Sequence, residues 1–330
     1  MVNIGIVGAT GMVGRNFLKI MEERNFPVNK LYLFASSKSK GKTINFKNKE
    51  YIVEELKEDS FDKPIDIALF SAGGNISKKF APIAKEKGIV VIDNSSAWRM
   101  EEWVPLIVPE VNPEAINKHK GIISNPNCST IQSVIPLKPL DDEYGLKRVV
   151  FSTYQSVSGS GIGGLKDLEK GLNKPFHEKY PHPIAFNVIP HIDDFLDNGY
   201  TKEEIKMIEE TKKILENNDI KITATTVRVP VKYGHAVSAN IELKKDFELK
   251  DIFKLLENFP GIEVLDDPTN NIYPMPIMAE GKDKVYVGRI RRDFSLENGL
   301  NIWIVADNIR KGAATNTIQI AELLLKNRRL

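Results

Sequence analysis

The chain opens with short apolar runs alternating with amphipathic stretches. Residues 2–7 (Val-Asn-Ile-Gly-Ile-Val) read as a buried strand that Gly8-Ala9-Thr10-Gly11 breaks. From Met12 to Arg24 the apolar residues Val13, Phe17 and Ile20 recur at helical spacing. A second strand is predicted from Leu31 to Ala35. Further apolar runs at 66–70, 89–92 and 121–124 alternate with a helical stretch at 76–87. Strand, helix, strand in this order predicts a parallel, doubly wound sheet over roughly the first 125 residues.

The pattern changes after Cys128. Strand-like segments at 148–157, 222–231, 236–243, 284–292 and 300–306 show more alternation, with helices predicted at 164–172, 202–216 and 249–257. This predicts a largely antiparallel sheet with helices on one face. A last amphipathic helix, 313–326, carries Ala314, Ile318, Ala321 and Leu325 and could pack on either half. Short segments such as Pro181-His182-Pro183 read as turns.

A length of 330 residues is long for one core and predicts two domains. With 46 basic and 44 acidic residues the net charge is +2, which gives no electrostatic case for nucleic acid or membrane surfaces. No apolar run approaches the ~20 residues that span a bilayer. The strand starting at Val2 leaves no room for a signal peptide. One cysteine cannot form an internal disulfide, so a reducing, cytoplasmic setting is expected.

Gly8-Ala9-Thr10-Gly11-Met12-Val13-Gly14 is a G-x-x-G-x-x-G run between the first strand and first helix. Glycines there let backbone approach a pyrophosphate, and unpaired N–H groups at a helix start stabilise its charge. A plain glycine turn has the same look. An NAD enzyme usually places a carboxylate at the end of the second strand for the ribose 2′-OH. This chain has Phe34-Ala35-Ser36-Ser37-Lys38-Ser39 there, hydroxyls and a cation that suit the 2′-phosphate of NADP, although a polar loop has the same composition.

Ser124-Asn125-Pro126-Asn127-Cys128-Ser129-Thr130 joins a strand to a predicted helix running from Cys128 to about Pro139. A thiol at a helix N-terminus feels the positive end of the dipole, which raises its thiolate fraction. A buried structural cysteine is the plain alternative.

These segments together resemble the aspartate-semialdehyde dehydrogenase family over essentially the whole chain. The carriers are the glycine loop, Asp93-Asn94-Ser95-Ser96-Ala97-Trp98-Arg99, Asn125 through Thr130, Gln155 through Gly161, Arg228-Val229-Pro230-Val231 with Gly234-His235, and Asp307 through Ala314. The resemblance implies an α/β fold. A Rossmann-type doubly wound domain, 1–127, is completed by the C-terminal helix, 308–330. An α+β catalytic and dimerisation domain, 128–307, carries the largely antiparallel sheet. It also implies reversible conversion of aspartate semialdehyde, inorganic phosphate and NADP to aspartyl 4-phosphate and NADPH, on the route toward lysine, threonine and methionine. A homodimer is implied, with a tetramer left open.

Roles follow by resemblance. Cys128 attacks the aldehyde and carries a thioester that phosphate cleaves. His235 is the candidate base, since imidazole titrates near neutral pH; the other four histidines have no motif context. Gln155 orients the substrate. Arg228 holds its carboxylate, where a planar guanidinium makes paired hydrogen bonds. Arg99, Asn127 and Lys213 match phosphate-binding positions, and Glu210 the contact to the substrate ammonium. Glu210 and Lys213 share a face at i, i+3, roughly opposite an Ile205, Ile208 and Leu215 stripe; a solvent-facing ion pair is the plain alternative, and Glu209 an adjacent register. Gly8, Thr10, Gly11, Met12, Val13, Ser36, Ser37, Lys38, Ser39, Ser71, Gly73, Asn94, Ser158, Gly159 and Asn308 are expected at the cofactor. Lys38 stands where many members carry arginine.

No paired-cysteine or H-E-x-x-H pattern is present, so no catalytic metal is expected. The nearest rival, N-acetyl-glutamyl-phosphate reductase, usually has glycine before its cysteine, and Asn127 argues against it. A CoA-dependent acyl reductase shares the scaffold. A noncatalytic dinucleotide-binding regulator would need neither Cys128 nor His235.

Overall fold

The computed structural model describes residues 1–327, and within them the chain divides into two compact units. The first is Met1–Asn127 with the chain from Ala313 on; the second is Cys128–Gly312.

The first unit contains β1 (Val2–Val7), α1 (Met12–Glu23), β2 (Val28–Ala35), β3 (Thr43–Phe46), β4 (Lys49–Glu55), β5 (Ile67–Phe70), α2 (Gly74–Glu86), β6 (Val90–Asp93) and β7 (Ile122–Ser124). Its strand order is β3-β4-β2-β1-β5-β6-β7. All neighbours are parallel except β3 and β4. The order reverses between β1 and β5, and these two strands are fully apolar along their final residues. The β3–β4 hairpin was not expected from the pattern. It turns through Lys47 and Asn48, both with positive φ, and its strands are rich in charged and polar residues, as suits a sheet edge.

The second unit contains α3 (Cys128–Tyr144), β8 (Leu146–Gln155), α4 (Gly161–Gly171), α5 (Lys202–Leu215), β9 (Lys221–Arg228), β10 (His235–Leu243), α6 (Leu249–Glu257), β11 (Ile262–Val264), α7 (Pro276–Ala279), β12 (Val285–Asp293) and β13 (Gly299–Ala306). The strand order is β11-β12-β13-β10-β8-β9. The three central pairings are antiparallel, while the outer β8–β9 and β11–β12 pairs are parallel. Helices α3, α5 and α6 pack on this sheet. Helix α3 runs past Pro136 and Pro139 to Tyr144, beyond the predicted end at Pro139. It continues despite the two missing N–H groups, with most of its residues from Ser129 to Leu140 buried.

The last helix, α8 (Thr315–Lys326), belongs to the first unit and packs against α1. Its Ile318, Ala321 and Leu324 join Phe17, Ile20 and Met21 in one buried cluster. The expected start of the returning segment at Asn308 is corrected to Ala313. Residues Asp307–Gly312 stay with the second unit because the Asp307 carboxylate accepts from Ile309 and Arg310 N–H (2.8 and 3.0 Å) and from Gly281 N–H (2.8 Å). The tail of the expected helix, 328–330, lies outside the described residues. Among the described residues no helix is long and apolar enough to cross a membrane.

Ile318 is fully buried, so Ile318→Ala leaves a cavity and is expected to cost about 2–5 kcal/mol. Chemical denaturation of both proteins checks this. A loss below about 1 kcal/mol would show that α8 contributes little to the first unit's core.

Candidate active site

The first unit carries a cradle that only glycine fits. Gly8 has φ +89°, and a Cβ there would stand 2.5 Å from the Ser71 carbonyl oxygen. A Cβ on Gly14 would stand 2.3 Å from the Gly8 carbonyl oxygen. Gly8 and Ser71 lie just past the ends of β1 and β5, where the strand order reverses and α/β sheets take their ligands. Helix α1 begins after Gly11 with no side-chain cap and no acidic residue in its first turn. The N–H groups of Met12 and Val13 therefore suit an anion. Thr10 Oγ1 donates to Ser39 Oγ (3.3 Å), joining the glycine loop to the turn after β2, where Ser36, Ser37 and Lys38 are exposed. The cradle and the adjoining turn fit a dinucleotide.

Two neighbouring residues act as braces. Asn94 donates to the Phe70 carbonyl (3.2 Å) and accepts from Thr317 Oγ1 (2.8 Å). Gly73, φ +88°, opens α2 without a side-chain cap. Arg99 is buried and donates to the carbonyls of Asn125 (3.0 Å) and Asn94 (2.9 Å). It ties its own loop to the segment that ends at Asn127, itself buried.

In the second unit the thiol of Cys128 is half-buried at the first position of α3. One turn on, Gln132 Nε2 donates to the His235 carbonyl (3.2 Å), and residues at i and i+4 share a helix face. Gly312 presses on the cysteine from the other side, since a Cβ there would stand 3.0 Å from Cys128 Cβ.

His235 is fully buried at the start of β10. Its Nδ1 accepts from the Ser156 peptide N–H (3.0 Å) and lies 3.0 Å from Ser156 Oγ. Its Nε2 is buried with no hydrogen-bond partner among the described residues. Burial, and then the Arg228 charge, hold its pKa well below the ordinary imidazole value, against a smaller opposing pull from the Gly234 carbonyl. Arg228, at the end of β9, donates through Nη1 to the Ser156 carbonyl (2.7 Å), while its Nε is buried and unpartnered. Gly159 is exposed, and a Cβ there would stand 3.1 Å from Arg228 Nη1 and 3.3 Å from His235 Nε2. Both nitrogens thus sit beneath a position that must stay small.

Gln155 lies buried between two partners. Its Oε1 accepts from Thr153 Oγ1 (3.0 Å) and its Nε2 donates to Glu203 Oε1 (3.1 Å). A carboxylate only accepts, so Glu203 fixes which way the amide points. Asn308 Oδ1 accepts from Gly234 N–H (2.9 Å) and Ser156 Oγ (3.0 Å), and its Nδ2 donates to Ser158 Oγ (3.0 Å). Asn308 and Ser158 therefore brace the histidine loop, a role the chain pattern did not disclose.

On α5 the plain alternative of a solvent-facing Glu210 does not hold: Glu210 lies roughly opposite Ile208 and Leu215 as expected, but it is buried beside Met207, Thr211 and Ile214. Ile205 is only half-buried. The solvent-side ion pair is Glu209–Lys212 (3.9 Å). Thr130, two residues after Cys128, reaches Met207 Sδ at 3.6 Å, so the Met207–Glu210 side of α5 faces the start of α3. Sequence reasoning missed Glu203, read only as part of a helix cap, and Tyr180, whose ring lies 5.9 Å from the Arg228 guanidinium. Asp167 holds Tyr180 in place by accepting three successive N–H groups, from Glu178 to Tyr180. Only a buried aspartate on α4 could have signalled it.

Comparison with known proteins agrees with this geometry. Residues 3–119 match the family described as semialdehyde dehydrogenase, NAD binding domain, and residues 137–311 the semialdehyde dehydrogenase, dimerisation domain. An aspartate-semialdehyde dehydrogenase of Aquifex aeolicus is 58% identical, with 98% of each chain covered. The crystal structure of aspartate semialdehyde dehydrogenase II of Vibrio cholerae, complexed with ASA, superposes with a TM-score of 0.96 at 47% identity over 99% of this chain and 98% of that one. The Candida albicans enzyme with NADP superposes with a TM-score of 0.80 at 27% identity, all of each chain being covered (100%). With both domain models matched and a relative 58% identical over nearly its whole length, the chain belongs to the aspartate-semialdehyde dehydrogenase family.

Proposed function

We propose that this chain catalyses the reversible, phosphate-dependent oxidation of aspartate semialdehyde with NADP, through a thioester on Cys128. The observation that carries this reading is the half-buried thiol at the first turn of α3, anchored one turn later to the backbone of His235.

The steps follow from what each group can do. Cys128 sulfur bonds the aldehyde carbon, and the carbonyl electron pair moves to oxygen. When bound, the dinucleotide supplies the two-electron oxidant. The thioester left on Cys128 is an activated acyl group, which phosphate oxygen attacks to release the sulfur. His235, through its unpartnered Nε2, serves the reacting oxygen. Arg228 takes the substrate carboxylate with the N–H groups that Ser156 does not use. Glu210 is the carboxylate for the substrate ammonium, in preference to the solvent-side Glu209. Gln155, its amide set by Glu203 and Thr153, orients the substrate, and Arg99, Asn127 and Lys213 receive phosphate.

The cofactor is assigned as NADP because Ser36, Ser37, Lys38 and Ser39 supply hydroxyls and a cation, with no carboxylate among them. Self-association is assigned to the sheet face that α3, α5 and α6 leave open. There Tyr154, 40% exposed, lies tilted against Trp303 with ring centroids 5.3 Å apart, next to a half-exposed Met275. We assign a homodimer through this face. A thiol that must stay reduced fits the cytoplasm.

NADPH formation from aspartate semialdehyde should require phosphate; equal rates with CoA in place of phosphate would transfer the chain to the acyl-CoA reductases. Cys128→Ala should abolish that turnover while NADP still binds by fluorescence titration, and surviving turnover would remove the covalent mechanism. Arg228→Lys keeps the charge but loses the fork. Loss of one charge-assisted bond of about 1.5–3 kcal/mol should raise KM for the semialdehyde about tenfold or more. An unchanged KM would mean that another group holds the carboxylate.

A further inference from the structure

The guanidinium of Arg228 is held at one end and on one face. At the end, Nη1 donates to the Ser156 carbonyl at 2.7 Å. On the face, the guanidinium carbon lies over the Tyr180 ring, 5.9 Å from its centroid, within the range where a ring attracts a cation. Nε, on the edge away from Nη1, is buried without a partner among the described residues. Nε and Nη2 share that edge and can close together on both oxygens of a carboxylate. The two restraints therefore fall on the parts of the fork that a carboxylate does not need.

The tyrosine is itself fixed from several directions. Its hydroxyl donates to the Val157 carbonyl (3.4 Å) and meets the Ser160 side chain. Gly164 leaves it room, since a Cβ there would stand 2.6 Å from the hydroxyl oxygen. The ring packs with Val157, Leu168, Ile184 and Ile189 in a small apolar cluster. Ile189 in turn pairs with the backbone of Arg228 in both directions (2.9 and 2.8 Å). Burial raises the phenol pKa above its ordinary value, against the smaller pull of the Arg228 charge. The ring therefore stays neutral at physiological pH and offers its face to a cation. None of the chemical steps above uses it.

We infer that Tyr180 is a positioning residue for substrate binding: its ring holds the Arg228 fork with the Nε edge ready for the carboxylate. This rests on the reading above in which Arg228 takes the substrate carboxylate. Without the ring, the guanidinium is free to turn about its side-chain bonds, and each binding event must then order it again. The ring meets that cost before substrate arrives. Its effect falls on binding of the semialdehyde, and not on thioester formation or on phosphate. Asp167 acts one step further out, by collecting the peptide N–H groups of Glu178, Lys179 and Tyr180.

The test is steady-state kinetics of the full chain carrying Tyr180→Phe or Tyr180→Leu. Tyr180→Phe keeps the ring and loses only the hydroxyl, so its KM for aspartate semialdehyde should stay within about twofold of the unmodified chain. Tyr180→Leu should raise that KM at least about fivefold, the loss of one partly desolvated contact between cation and ring, with kcat and the KM for phosphate unchanged. Should Tyr180→Leu not fold, Tyr180→Met fills the space with a longer, adaptable side chain and is read in the same way. Arg228→Met removes the cation, and in that background Tyr180→Leu should add less than about twofold to KM. The full rise in that background would show that Tyr180 acts elsewhere, and would overturn the proposal. So would a Phe variant as impaired as the Leu variant, or a lower melting temperature with KM unmoved, the mark of a merely structural tyrosine. If Arg228→Met alone leaves KM unchanged, the carboxylate reading falls and takes this proposal with it. If Arg228→Met raises KM and Tyr180→Leu does not, the positioning role alone falls.

Discussion

The first turn of α3 is gripped from two sides. Gly312 closes against the Cβ of Cys128, and Gln132 reaches from the next turn to the backbone of His235. Asn308, four residues before Gly312, collects Gly234, Ser156 and Ser158; Ser156 in turn meets both the imidazole and Arg228. Hydrogen bonds within the second unit thus link the helix that Cys128 opens to the His235 backbone, and the imidazole through Ser156 to the guanidinium. The glycines at 159 and 312 are where a side chain would intrude on the reacting groups.

The thiol's placement also explains where the chain changes units. The boundary falls between Asn127 and Cys128, so Cys128, four residues past the end of the last strand of the first unit's sheet, opens the second unit. The return at Ala313 falls just after the glycine that packs on it.

Much of this was legible in the residues. Apolar runs located all the parallel strands from β1 to β7 apart from β4, because a strand buried on both faces has to be continuously apolar. The glycine loop and Cys128 were legible because strand-to-helix transitions leave a local mark. The β3–β4 hairpin escaped because an edge strand keeps polar residues on its open side, and β11, three residues long, is too short to show a period. On α5, the burial of Glu210 was not legible, because a buried carboxylate breaks the rule that the buried face is apolar and the pattern alone left a solvent-facing ion pair open. Tyr180 and the Ser156 peptide were illegible for a different reason. Their roles come from tertiary contacts to Arg228 and His235, far along the chain, and a backbone N–H has no letter of its own.

The account stands on a covalent bond to one sulfur, and mass spectrometry sees that bond directly. The chain would be incubated with aspartate semialdehyde and NADP in phosphate-free buffer, quenched in acid and digested. A peptide containing Cys128 that carries one aspartyl group, and loses it when phosphate is added before the quench, is the predicted result. An unmodified Cys128 peptide under conditions where NADPH has formed would contradict the account.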